Sequence, residues 1–291
     1  MKQIFITLAA AVALTIASFG ATGQTFESDG LSYLVMDDKT VGCEGATDKY
    51  IIDLVVPETV TYNGDIYTVT RVGDFSGYQL LTTVKLPSTV TSIESFEDCT
   101  LLKYINLPEG LQYINYYVFK GCSSLVSVTI PEGVTSIGGH AFYGCSSLVS
   151  VTVPESVTSI GEYAFDDCDN LEAVYISDLS AWCNIEFENS ISNPLEFAHN
   201  LYLNGELVTD LVIPDGIIEI KSRAFCGGTC LKSVTIPESV TSIGYSAFSG
   251  CENLEAVYIS DLSAWCNIEF ENSYSNPLWS AHNLYLNGGL V

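Results

Sequence analysis

The chain has 291 residues, 47% hydrophobic and 15% charged, with 35 acids against 10 bases and a formal charge of −25. It is too apolar to be disordered, and a pI near 4.1 argues against binding along a nucleic-acid backbone, which needs clustered Lys and Arg. Three histidines leave little material for acid–base chemistry near neutral pH.

Met1-Lys2 is a minimal positive start, followed by the apolar run Ile4–Ile16 and small residues from Ala17 to Gly23. This reads as a Sec signal peptide over 1–23, with cleavage near Gly23/Gln24. The apolar run is shorter than the roughly 20 residues a membrane helix needs, no Cys follows it for lipid attachment, and no later stretch could span a bilayer. An exported, secreted or surface location is expected.

Gly30–Met36 and Tyr50–Val56 are strand-like, and Asn63-Gly64 marks a hairpin. Residues 24–75 are expected to be an N-terminal cap, and 76–291 a repeat array. Within the array Cys122, Cys145 and Cys168 are 23 residues apart, as are Phe119, Phe142 and Phe165, and Pro108, Pro131 and Pro154. A unit of that length cannot bury its own apolar face, so copies must stack. Leu125/Val128/Ile130 and Leu148/Val151/Val153 predict a short strand stopped by Pro131 or Pro154. Val-Thr-Ser-Ile-Gly (134–138, 157–161, 240–244) predicts a second extended piece, and Ala-Phe-x-x-Cys closes the coil with Phe and Cys inward. No helical stripe interrupts the regular units.

After Leu171-Glu-Ala-Val-Tyr-Ile176, Ser177 stands where Pro is due, and the next Pro in phase is Pro214, 37 residues later. In this insertion unit, about 177–213, Ser177 or Asp178 is expected to cap a helical turn burying Trp182, and Asn204-Gly205 to make a hairpin. The block recurs 83 residues on, at about 260–291, with Trp182 matching Trp265 and His199 matching His282; 41 aligned positions carry five differences. The sequence stops at Val291, which aligns with Val208, before the strand that Leu211–Ile213 supplies in the earlier copy. An open apolar coil is an aggregation-prone edge, so a longer parent chain is expected.

The units resemble leucine-rich repeats of the BspA-like type, through I/V-P-x-x-V-T-S-I-G-x-x-A-F-x-G-C-x-x-L from about Leu54 onward. The resemblance implies a mainly β, horseshoe-like solenoid with one parallel sheet and short irregular or 3-10 segments opposite it. It also implies export to a bacterial surface and adhesive binding to host or neighbouring-cell macromolecules.

Cys99, Cys122, Cys145, Cys168 and Cys251 share one repeat position. Stacked in register they keep their Cβ atoms farther apart than a disulfide prefers, so they read as small buried hydrophobes. Cys226 and Cys230 are the local disulfide candidate. No zinc spacing, nucleophile elbow, calcium loop or phosphate-cradling loop is present, so no metal, cofactor or enzymatic activity is expected. The duplicated His199 and His282 suit a structural hydrogen-bond role.

The candidate binding surface is the exposed sheet face: Lys85, Tyr104, Asn106, Thr129, Thr152, Tyr175, Thr235 and Tyr258. A flat Thr/Ser/Tyr surface suits protein or glycan contacts, although Thr and Tyr are also simply good exposed-strand residues. The leading expectation is a recognition module, an adhesin for an extracellular protein. The alternative is a glycan-binding or spacer protein carrying a further domain.

Overall fold

The computed structural model describes residues 23–37 and 39–291; the expected signal peptide lies outside them, save for Gly23. From Asp53 onward the chain winds as stacked coils, each contributing a strand to a first ladder and, after the proline turn, a shorter strand to a second.

The first ladder has three, four and four parallel strands in successive groups. Asp53–Val55, Thr83–Lys85 and Tyr104–Ile105 form one group. Ser127–Thr129, Ser150–Thr152, Ala173–Ile176 and Leu201–Leu203 form the next. Asp210–Val212, Ser233–Ile236, Ala256–Ile259 and Leu284–Leu286 form the third. The second ladder runs through Tyr113–Ile114, Ser136–Ile137, Ser159–Ile160 and Glu186–Phe187, then restarts at Glu219–Ile220, Ser242–Ile243 and Glu269–Phe270.

One core fills the coils. Leu125, Leu148, Val134, Ile160 and Val151 are wholly buried. Phe75, Phe96, Phe119, Phe142 and Phe165 stack ring on ring at 5.2–6.1 Å, so each coil's largest apolar group is covered only by its neighbours. This is the physical reason that a 23-residue unit needs copies.

The residues expected to cap the array form an antiparallel meander, Thr25–Ser28, Leu31–Asp37 and Thr40–Ala46. The long strand Asp65–Asp74 then pairs with Thr40–Ala46 on one side and with Ser92–Ser95 on the other, both in parallel. Asn63 and Gly64 take positive φ in the expected hairpin. The cap and the repeats interleave, because Asp53–Val55 already opens the first ladder. Arg71 clamps the junction, 2.6 Å from Glu44 on the cap and 2.8 Å from Glu94 on the first full coil.

The 37-residue insertion is not a single projecting loop. Val174 to Leu201 is a complete coil of 27 residues, and Leu201 to Leu211 is a hairpin of 10. Within the coil, Asp178 accepts the Ala181 N–H at 2.7 Å and caps helix α1 (Leu179–Cys183), which buries Trp182 to 1% exposure. A capping box at Asn189/Ser192 opens a 3-10 turn, Ser190–Ser192, and helix α2 (Leu195–Ala198) leads back to the ladder. The Asn204-Gly205 turn, both residues at positive φ, then adds Glu206–Leu207 to the ladder edge. On the far side no extra layer is inserted: Gly227 (φ +80°) lies directly against Glu196, with no room for a Cβ. The hairpin is therefore a wedge on the first-ladder side.

Candidate functional site on the first-ladder face

Successive strand residues point to opposite sides. With Val128, Val151 and Val174 buried, Thr129, Thr152 and Tyr175 are forced outward, and the parallel register sets them side by side. In the third group the same rule aligns Val212, Thr235 and Tyr258. Lys85 and Tyr104 lie on the same face in the first group, Tyr104 being 57% exposed. Asn106 also faces out, but its amide is already committed: Oδ1 accepts the Leu86 N–H at 2.8 Å and Nδ2 donates to the Leu86 carbonyl at 2.9 Å. That amide replaces the ladder bonds of a strand that stops at Ile105, and Asn106 is better placed to fix the strand end than to meet a ligand.

Two residues of the face escaped sequence reasoning. Tyr202 is the register partner of Tyr175, and Tyr285 of Tyr258; the ring centroids are 4.9 and 5.1 Å apart, near-parallel at 29° and 26°. They fall 27 residues after their partners, off the 23-residue period. The available signal was the Leu-Tyr-Leu alternation, which matches Val-Tyr-Ile. Each super-repeat thus presents a stacked tyrosine pair, half-buried by its own stacking, beside a threonine. On the opposite side of the coil a second ring stack places His140 between Tyr117 and Tyr163, at 4.9 and 5.0 Å.

The cysteine column has a more specific role than packing. Cys99, Cys122, Cys145, Cys168 and Cys251 are fully buried, and each Sγ donates to a phenylalanine carbonyl (Phe75, Phe96, Phe119, Phe142 and Phe225) at 3.1–3.3 Å. Burial pushes the Cys99, Cys168 and Cys251 thiols up to about 12, keeping the proton that makes this bond. Cys226 and Cys230, the expected disulfide candidate, are free thiols. Their sulfurs are engaged separately: Cys226 donates to Glu196 Oε2 at 2.9 Å, and Cys230 accepts the Leu201 N–H at 3.5 Å. Both tie the regular coil to the inserted one. His199 does likewise: it ends α2 at φ 61°, and its Nδ1 lies 3.1 Å from the Gly227 carbonyl. Among the described residues no three His, Cys, Asp or Glu side chains converge as a metal site, and no helix is long and apolar enough to cross a membrane.

This architecture coincides with a described family. Six copies of the BspA type leucine rich repeat region match residues 69–193 and 196–278. The chain belongs to this family. Among solved structures, it is similar to a leucine-rich repeat protein from T. pallidum at 26% identity, over 79% of this chain and 91% of that one, with a TM-score of 0.51. A leucine-rich repeat protein from Bacteroides ovatus shares 27% identity over 80% of this chain and 70% of its own, with a TM-score of 0.45. The pneumococcal vaccine antigen PcpA shares 18% over 81% and 72%, with a TM-score of 0.44. No curated protein matches the chain.

Proposed function

We propose that this BspA-type repeat protein is an exported, non-catalytic recognition module, a secreted or cell-surface adhesin that binds an extracellular protein through its first-ladder face. The observation that carries the reading is the register of that face, which sets Thr129, Thr152, Tyr175 and Tyr202, then Thr235, Tyr258 and Tyr285, in flat rows across successive coils. Tyrosine brings large contact area with little conformational entropy to lose, and hydroxyls at the ladder spacing of about 4.8 Å suit a partner's polar backbone. Export is supported by the charged start, apolar run and small-residue cleavage region of Met1–Gly23.

The test is binding of the mature protein to immobilised extracellular-matrix proteins, with a thermal melt beside each variant. Tyr175→Ala with Tyr258→Ala is expected to weaken binding about tenfold or more, as interface aromatics do, while the melt moves only slightly because neither ring is in the core. Unchanged binding by a variant that melts like the wild type overturns this placement of the site.

A further inference from the structure

A groove of about 430 Å³ lies at the edge of the first-ladder face in the third group, where the strands give way to the proline turns. Tyr258 lines it, 37% exposed and stacked on Tyr285. Thr235, Asp215, Glu238, Ser239 and the hairpin tip Asn287-Gly288 line the same groove. One oxygen of Glu238 is held by the Ser260 hydroxyl at 2.8 Å, and Asn287 is held to the Ser260 carbonyl at 3.3 Å, so the hairpin wall and the acid are positioned by the same residue.

We infer that this groove is a binding site for a neutral saccharide chain, which shares Thr235 and Tyr258 with the face proposed above for a protein ligand. An aromatic face carries negative charge density, which attracts the polarised C–H face of a pyranose ring, and the surrounding carboxylates, hydroxyls and amide offer acceptors and donors for its hydroxyl edge. No Lys, Arg or His lines the groove, so a sulfated, phosphorylated or uronic-acid glycan meets only like charge there. The volume falls within the range of small-molecule sites. The same residue types recur 83 positions earlier in the sequence, as Thr152, Glu132, Glu155, Ser156 and Asn204, together with the stacked pair Tyr175 and Tyr202, so the sequence provides the chemistry twice.

The experiment is calorimetric titration of the mature protein with maltohexaose, cellohexaose and mannohexaose. A heparin hexasaccharide serves as anionic probe and hexalysine as cationic probe. At least one neutral hexaose is expected to bind and the heparin fragment to fail. Tyr258→Ala with Tyr285→Ala should remove half or more of the binding capacity, and adding Tyr175→Ala with Tyr202→Ala should remove the rest. The matching Phe variants keep the stack and should retain binding. Val212→Trp, at an exposed groove position, should block the groove without touching either tyrosine. Failure of all three neutral hexaoses, binding of hexalysine alone, or neutral binding indifferent to the Tyr→Ala and Val212→Trp changes overturns the inference. Matrix-protein binding is read in the separate assay, where Val212→Trp, which leaves both tyrosines in place, distinguishes loss of the groove from loss of the face.

Discussion

The same 41-residue block occurs at 168–208, with a coil stacked on it, and at 251–291, where it forms the end of the described solenoid, and the two copies separate what local sequence determines from what stacking determines. Everything local is reproduced. Asp178 and Asp261 cap their helices through Ala181 and Ala264, at 2.7 and 2.8 Å. The T-shaped contacts Trp182–Phe187 and Trp265–Phe270 agree at 5.5 Å, and His199 and His282 both end a helix at positive φ. The expectation that Trp182 and Trp265 are both buried holds, at 1% and 8% exposure.

What differs is the side turned to the next coil. Trp182 Nε1 donates to the Ala224 carbonyl at 2.8 Å, and the fully buried Asn193 donates to the Arg223 and Ala224 carbonyls at 2.8 and 3.2 Å. One of the five differences falls here, Glu196 becoming Trp279, and two more lie near it in sequence, Ile191 becoming Tyr274 and Phe197 becoming Ser280. Glu196 receives the Cys226 thiol, whereas Trp279 is 57% exposed and packs edge-on to Tyr274 at 5.4 Å. Glu196 has changed where its neighbour in the next coil is the Cys226 thiol, whereas Trp182 and Asn193, which also reach that coil, are the same in both copies.

Paired substitutions sharpen this contrast. Trp182→Ala should cost about 3–5 kcal/mol and loosen the flanking coils, because it also removes the indole bond to the Ala224 carbonyl, while Trp265→Ala, measured in the chain of residues 24–291, should cost less. Urea midpoints measure both, and equal losses would break the distinction. Next in size, Asn193→Ala should cost about 1–3 kcal/mol by removing its bonds to the Arg223 and Ala224 carbonyls and leaving the buried Leu195 N–H without its acceptor. Asn276→Ala should lose only the 2.9 Å bond to the Leu278 N–H, about 1 kcal/mol.

The last contrast, silent at neutral pH, concerns the two equivalent thiols. Burial pushes Cys183 up to about 12, whereas Cys266, its counterpart, is exposed. Because the folded value lies above that of the unfolded chain, Cys183's contribution is whole below the ordinary thiol range and is lost as pH climbs towards 12. Cys183→Ala should flatten the alkaline fall in melting temperature. In the native protein a thiol reagent should modify Cys266 and spare Cys183.

The regular coil was legible because its period is strict: apolar alternation, the proline stop and the Phe–Cys closure all recur at 23 residues, and each found its expected place. The Asp178 cap was legible for a related reason, since capping depends on neighbours in sequence. Tyr202 and Tyr285 were not, because the inserted coil is longer and moves them out of phase with the other exposed strand residues. The destinations of the thiols were also hidden. A cysteine that donates to a carbonyl one coil away, and one that meets Glu196, differ only in what stacking brings beside them. Cys226 and Cys230 are close in sequence, yet the turn at 227–229 between them leaves their sulfurs with different neighbours.

The central claim is that recognition uses the first-ladder face. Amide hydrogen exchange of the mature protein, with and without a bound matrix-protein ligand, tests it most directly. The account predicts new protection within Ser127–Thr129, Ser150–Thr152, Ala173–Ile176, Ser233–Ile236 and Ala256–Ile259, with the turns around Tyr117, His140 and Tyr163 unchanged. Protection confined to those turns, with the strands exchanging as in the free protein, would contradict it.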